Sequence, residues 1–190
     1  TLTLTALDDI IIGGTGNDTI TLSGIAEAGD TFDGGAGTTD TLILDANGNT
    51  ISVTNTETIT GGAGNDTIAF SGDGSISTGG GTDTLEIAAG NEVIGVELVV
   101  TAGTTAAPTE GNLVISYLDA SDVTHTVTVT NHVTSPLAFI KTDTNFDNKL
   151  ETFTVATAFD SSANTTNTVL AGTSGNDTLS GGTAKDYIFG

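Results

Sequence analysis

A short glycine-rich block recurs along this chain. It reads Gly13-Gly14-Thr15-Gly16-Asn17-Asp18-Thr19-Ile20, returns as Gly61-Gly62-Ala63-Gly64-Asn65-Asp66-Thr67-Ile68, and appears again as Gly172-Thr173-Ser174-Gly175-Asn176-Asp177-Thr178-Leu179. Looser copies occupy 34–42, 78–85 and 181–188. Two pairs stand in nine-residue register: Asp9-Asp18, and Asp177-Asp186. Units this short cannot bury an apolar face alone, so they must stack. The glycines permit positive φ, which lets the first part of each unit turn tightly with its carbonyls inward. The last residues form a short strand that buries its Ile or Leu, and Asp sits where turn meets strand. Stacking alternate units brings two carboxylates together beside those carbonyls. That is an oxygen cage of the kind a hard cation such as calcium takes. Without the ion the like charges repel.

The charge balance sharpens this. The chain has 190 residues, with 24 Asp+Glu against 3 Lys+Arg and a formal net charge of −21. Phosphate backbones would repel it, so nucleic acid is excluded as a partner. Anionic membrane surfaces are excluded for the same reason. No apolar run approaches the ~20 residues of a membrane helix, and no membrane insertion is expected. Yet 36% of the residues are hydrophobic and mean hydropathy is +0.13. Thr, Val and Ile favour strands, so the chain should fold as β structure once its carboxylates are neutralised. Cys is absent, which removes disulfides and thiolate metal sites and leaves bound hard cations as the staple. With Thr at position 1 and no signal-peptide pattern, the sequence reads as a piece of a longer polypeptide.

The blocks resemble the RTX, or haemolysin-type, calcium-binding nonapeptide Gly-Gly-x-Gly-x-Asp-x-U-x, a parallel β-helix repeat. The resemblance implies calcium as the bound ion. It also implies that positions 2, 4 and 6 of one unit face positions 1, 3 and 6 of the unit two later. Carried onto this chain, Gly14, Gly16 and Asp18 would face Gly34, Ala36 and Asp40, and Gly62, Gly64 and Asp66 would face Thr78, Gly80 and Asp83. Two departures strain the first pairing: the segment between the turns is about three residues too long, and Thr39 adds one before Asp40. Asp9, with Glu27, is a further and weaker candidate. Asp177 and Asp186 complete the candidate ligands. Counting back two units from Asp186 reaches Thr168, which offers no carboxylate.

The rest of the chain is less repetitive. Residues 101–111, with Gly103 and Pro108, read as a loop. Leu113 to Tyr117 reads as a strand. Val123, His125, Val127 and Val129 alternate with threonines as a half-buried antiparallel strand, with a hairpin turn at 119–122. This stretch is similar to the β module that follows nonapeptide rolls in RTX proteins. Asp143-Thr144-Asn145-Phe146-Asp147 begins like an EF-hand loop. Asn148 and Thr154 break that pattern, so a polar turn is the simpler reading. His125 reads as packed among valines. Asp30, Asp33, Asp45 and Asp73 read as solvated loop residues. No His-Glu-x-x-His pair or Gly-x-Ser-x-Gly elbow appears, and no enzymatic activity is expected.

The expectation is an all-β protein of calcium-binding parallel β-roll or β-helix segments plus a small antiparallel β module. Residues 1–100 would hold two short rolls, 101–160 the antiparallel module, and 161–190 the start of a third, incomplete roll. The composition is similar to bacterial S-layer and RTX adhesin chains. That implies a structural calcium-binding segment of a secreted or cell-surface protein whose partners are copies of itself. The alternative is the repeat region of a secreted RTX toxin or hydrolase with catalysis elsewhere.

Overall fold

A computed structural model describes residues 1–88, 90–104, 107–143, 150–155, 165–173 and 178–189. The strands of the first half are short and follow the blocks: β1 (Ile10–Ile12), β2 (Thr19–Thr21), β3 (Thr31–Asp33), β4 (Thr41–Ile43), β5 (Thr50–Thr54), β6 (Thr58–Thr60), β7 (Thr67–Ser71), β8 (Gly74–Ser77) and β9 (Asp83–Ile87). Longer strands come next, β10 (Glu92–Thr104), β11 (Ala107–Leu118) and β12 (Thr124–Val129). The chain then runs through β13 (Leu137–Thr142), β14 (Glu151–Val155), β15 (Thr168–Ala171) and β16 (Asp186–Phe189).

The chain winds between two sheets. One has the order β1-β3-β5-β7-β9-β13-β14-β15-β16, and the other β10-β11-β12-β8-β6-β4-β2. From β1 to β9 each odd strand pairs in parallel with the next odd strand, and each even strand from β2 to β8 with the next even one. This is the β-roll that the repeat implied. Each coil places like on like. Inside one sheet, Ile51, Ile68, Leu85, Ile140 and Phe153 lie in register. Inside the other, Leu42, Ile59, Ile76, Val129 and Leu113 do the same. All of these are buried, and burial of each side chain contributes ~1.5–3 kcal/mol. Threonines occupy the alternate outward positions, as in the row Thr19, Thr41 and Thr58. β-Branched residues suit that half-exposed pleat.

Two expectations change here. The rolls foreseen within 1–100 share both sheets and form one continuous stack, and the boundary at 100/101 falls inside β10. The segment 101–111 is not a loop. β10 reaches Thr104, β11 begins at Ala107, and the two pair antiparallel with Gly103 opposite Pro108. Pro108 lies where β11 is paired on the β10 side alone, since β12 joins only from Leu113 onward, and such edge positions are where a strand tolerates proline. The hairpin of β11 and β12 extends the second sheet by pairing β12 in parallel with β8. In the first sheet β14 runs antiparallel to β13, and β15 and β16 follow β14. The last three strands therefore run opposite to the odd-numbered strands β1 to β9 of that sheet. Among the described residues no helix is long and apolar enough to cross a membrane.

The inward rows set a testable scale. Phe70→Ala is expected to cost about 3–5 kcal/mol in calcium-saturated denaturant melts, whereas Val123→Ala, at a position 49% exposed, should stay within about 0.5 kcal/mol.

Candidate calcium sites

The turn 13–18 links β1 to β2, and 34–40 links β3 to β4, so the two lie over one another at one edge of the roll. Gly14, Gly16 and Gly35 take φ of 109°, 106° and 94°. At Gly35 a Cβ would stand 2.1 Å from the Gly14 carbonyl oxygen, so only glycine fits. The turns then join main chain to main chain. The Ala36 N–H donates to the Gly14 carbonyl at 2.7 Å, and the Gly16 N–H to the Ala36 carbonyl at 2.8 Å. The Asp18 N–H donates to Asp40 Oδ1 at 2.8 Å. The candidates Gly14, Gly16 and Asp18 thus do face Gly34, Ala36 and Asp40. The excess length is absorbed by a coil of 22 residues, measured from Asp18 to Asp40. Below them the Asp40 N–H donates to Glu57 Oε2 at 2.6 Å.

This arrangement satisfies the backbone and leaves the charge unsatisfied. Asp18 Oδ2 and Asp40 Oδ2 are both buried without a hydrogen-bond partner, and Asp40 is fully buried. Orphaned buried carboxylate oxygens are costly unless paired or ligated. Their hard-oxygen chemistry, with turn carbonyls alongside, fits calcium.

The second block builds the same device on the opposite edge. Turn 61–66 links β6 to β7, and 78–82 links β8 to β9. The Gly80 N–H donates to the Gly62 carbonyl at 3.0 Å. The Asp66 N–H donates to Asp83 Oδ1 at 2.9 Å across a coil of 17 residues. Gly62, Gly64 and Asp66 therefore lie against Thr78, Gly80 and Asp83. Gly79 and Gly81 have φ of 84° and 103°, and a Cβ on Gly79 would meet the Gly62 carbonyl oxygen at 1.9 Å. The motif's Asn also has a task. Asn65 Oδ1 accepts the Thr82 N–H at 2.8 Å, and Asn17 Oδ1 accepts the Thr38 N–H at 3.2 Å. Asp66 and Asp83 are both buried. Burial, with the Asp66 charge beside it, pushes the Asp83 carboxyl up to about 6. Among the described residues no three His, Asp or Glu side chains converge on one point, so each cage offers a carboxylate pair plus main-chain oxygens.

The remaining candidates divide. Asp9 donates its N–H to Asp30 Oδ1 at 2.7 Å, while its own Oδ2 accepts the Thr5 N–H at 2.7 Å. Its partner is Asp30 rather than the Glu27 carboxylate. Asp30 is no solvated loop residue: it is 1% exposed and also accepts the Glu27 N–H at 2.8 Å. Asp33 is engaged as well, accepting from Gly35 and Asn55, and Asp73 accepts from Thr126. Asp186 repeats the Asp66 turn. The Gly182 N–H donates to its Oδ2 at 2.7 Å, as Gly62 does to Asp66 at 3.0 Å, and its Oδ1 is buried without a partner. Thr168 lies opposite it in register. Because β16 runs against the odd-numbered strands β1 to β9 of its sheet, Asp186 begins its strand at the edge where those odd strands end. It cannot continue the Asp66–Asp83 column. Asp177 and 144–149 fall outside the described residues. His125 is not packed among valines. Its ring lies between Asp73 (Nδ1 to Oδ2, 3.2 Å) and Asp119 (Nε2 to Oδ2, 3.5 Å), against Tyr117.

A signal for the missed residues was present. The strands β2 to β7 and β9 are each entered through an acid or amide, then Thr, then an inward apolar residue. Asp30-Thr31-Phe32, Asn49-Thr50-Ile51 and Glu57-Thr58-Ile59 carry it just as Asp18-Thr19-Ile20 does.

Two outcomes follow from this geometry. Asp40→Ala removes a carboxylate facing Asp18. It is expected to lose at least one bound calcium by calorimetric titration and raise the calcium midpoint of folding about tenfold or more, while the exposed Glu110→Ala leaves both unchanged. The second outcome concerns pH. The folded, metal-free Asp83 holds its proton up to about 6, against an ordinary value of 3.8. A raised acid penalises the fold as pH climbs from the lower value through the higher. In EDTA, β structure by circular dichroism should therefore fall between pH 4 and 7, and Asp83→Asn should flatten that part of the profile.

The RTX calcium-binding nonapeptide repeat family model matches residues 5–24, 54–85 and 162–190, in four copies. No curated protein and no solved structure matches the chain. The turn 34–40, outside the matched segments, is added by the structure, which stacks it on the matched turn 13–18. The chain carries the calcium-binding nonapeptide repeats of the RTX family, wound into a β-roll.

Proposed function

We propose that this chain is a structural, calcium-gated segment of a secreted bacterial surface protein, such as an S-layer, adhesin or extracellular fibre subunit, and that it assembles with copies of itself. The observation that carries the reading is the pair of buried, partnerless carboxylate oxygens of Asp18 and Asp40 in a chain of net charge −21. Asp18 and Asp40 would hold one ion with carbonyls of the turns 13–18 and 34–40, and Asp66 and Asp83 another with carbonyls of 61–66 and 78–82. Bound calcium supplies the positive charge and the oxygen-seeking coordination that these pairs lack.

The chain's own residues do the rest. Glycines bring the turns within hydrogen-bonding distance, the Asp N–H groups fix the register of successive coils, and the inward rows close behind them. An ion that binds the folded chain and not the unfolded one stabilises it by ~2.7 kcal/mol at a hundredfold excess over its dissociation constant. Folding then follows the calcium concentration of the compartment. A chain kept unfolded where calcium is scarce and folded where it is abundant suits export followed by assembly outside the cell. Self-association is supported by where the apolar surface lies. Ile10 and Ile12 on the edge strand β1 are 76% and 67% exposed, and Ile188 on the edge strand β16 is 48% exposed. Among the described residues β1 and β16 stand at the two ends of their sheet, and edge strands are templates for further pairing.

In EDTA at neutral pH, where the acid pairs are ionised, the chain is expected to give random-coil circular dichroism, and β structure in ~1–10 mM calcium, with magnesium a poor substitute because it demands tight octahedral geometry. Equal β content in EDTA would refute the gate.

A further inference from the structure

Asn49 stands in its turn where Asp18, Asp66 and Asp83 stand in theirs, as the residue before Thr and an inward apolar residue. It is 1% exposed. Its amide nitrogen lies 2.6 Å from the Asn47 carbonyl oxygen, 2.8 Å from Asp66 Oδ1 and 3.0 Å from the Asp45 carbonyl oxygen. Its amide oxygen accepts the Ala26 N–H at 3.1 Å. Three acceptors surround one end of the amide and a donor faces the other, so chemistry fixes which end is nitrogen. The Asp45 carboxylate accepts the Asn47 N–H at 2.9 Å, which closes the turn and holds its carbonyls around the amide.

The contrast with the first turn pair is direct. Between 13–18 and 34–40 the Asn17 amide oxygen accepts the Thr38 N–H, but no amide nitrogen reaches Asp18 Oδ2 or Asp40 Oδ2, and these two buried oxygens are left without partners. Between 44–49 and 61–66 both Asp66 oxygens are satisfied: Oδ1 accepts from the Asn49 main chain at 2.9 Å and from its side chain, and Oδ2 accepts the Gly62 N–H at 3.0 Å. In the rung of 44–49 and 61–66 two turn carbonyls and a carboxylate converge, and a polarised NH2 already lies at the point of convergence.

We infer that Asn49 is a built-in cation substitute: its side-chain amide fills the cage between turns 44–49 and 61–66, so that this rung closes without metal and holds no calcium. The inference rests on the calcium reading of the neighbouring turns and adds a specificity rule to it. An acid at the turn–strand junction makes a rung an ion site, and Asn at the same place makes it metal-free. Neutral Asn49 also leaves Asp66 facing one carboxylate, Asp83, instead of two.

Asn49→Asp in the full chain, compared with wild type by native mass spectrometry in saturating calcium, tests it. The variant is expected to carry one more calcium ion than wild type, with its circular dichroism β-structured in calcium. An unchanged ion count overturns the inference, and so does a variant that calcium fails to fold. Independently, crystals of the calcium-loaded wild type should show no ion bonded to the Asp45 and Asn47 carbonyls, and an ion there overturns it too. A wild type that binds no calcium at all would instead defeat the gating reading, which keeps the two failures distinct.

Discussion

Carboxylates stacked one above another at the edges of the coils are the constraint on which everything else in this roll depends. At Asp18 and Asp40, and again at Asp66 and Asp83, the backbone N–H of one acid is tied to the side chain of the acid in the next coil. That bond is good for the main chain, since a turn pressed against its neighbour has few other acceptors for a buried donor. For charge it is unfavourable, because it fixes like groups together in a medium that screens poorly. The main chain asks for the acids to meet and electrostatics asks for them to part. A divalent cation reconciles the two, and a chain with so few basic residues offers little else that can.

The interior answers to a different rule. Short strands bury little each, but parallel in-register stacking sets every inward Ile, Leu, Val or Phe upon another, so the core is a set of columns rather than a cluster. Such columns are quasi-one-dimensional, with stability set by neighbouring coils. The hairpin of β11 and β12 ends the even-numbered ladder on β8 by continuing its inward row through Val129 and Leu113. At the far end of the other sheet, the reversal at β14 gives the last repeat a direction of its own and sets Asp186 opposite Thr168 in register.

Much of this was legible in the sequence. The Gly-Gly-x-Gly-x-Asp turns and the strands after them could be read from residue type and spacing, because a tight turn at positive φ leaves few choices of residue, while the facing of Asp18 on Asp40 and of Asp66 on Asp83 was what the family resemblance implied. What could not be read was the linkage between blocks. Coils of 17, 21 and 22 residues separate the junction acids, and a period that wanders hides which turns share an edge. The same irregularity disguised Asp30 and Asn49, whose surroundings lack the full glycine pattern although their Asp-Thr-Phe and Asn-Thr-Ile triplets keep the junction. The hairpin at 101–111 was missed because small residues and Pro108 signal a turn locally, while cross-strand pairing decides the outcome.

The uneven coil lengths also say where this architecture accepts change. An extra residue inside β4 or β7 would turn the inward side chains beyond it, Leu42 or Phe70 among them, to the outer face and break the columns they belong to. At 34–40 an additional residue has already been taken in: Thr38 and Thr39 are exposed while Asp40 keeps its place beneath Asp18. Length variation is channelled to the rims of the coils, and the columns between them are left untouched. A chain built this way can diverge by lengthening and shortening its turns, one coil at a time, while its inner registers stay fixed.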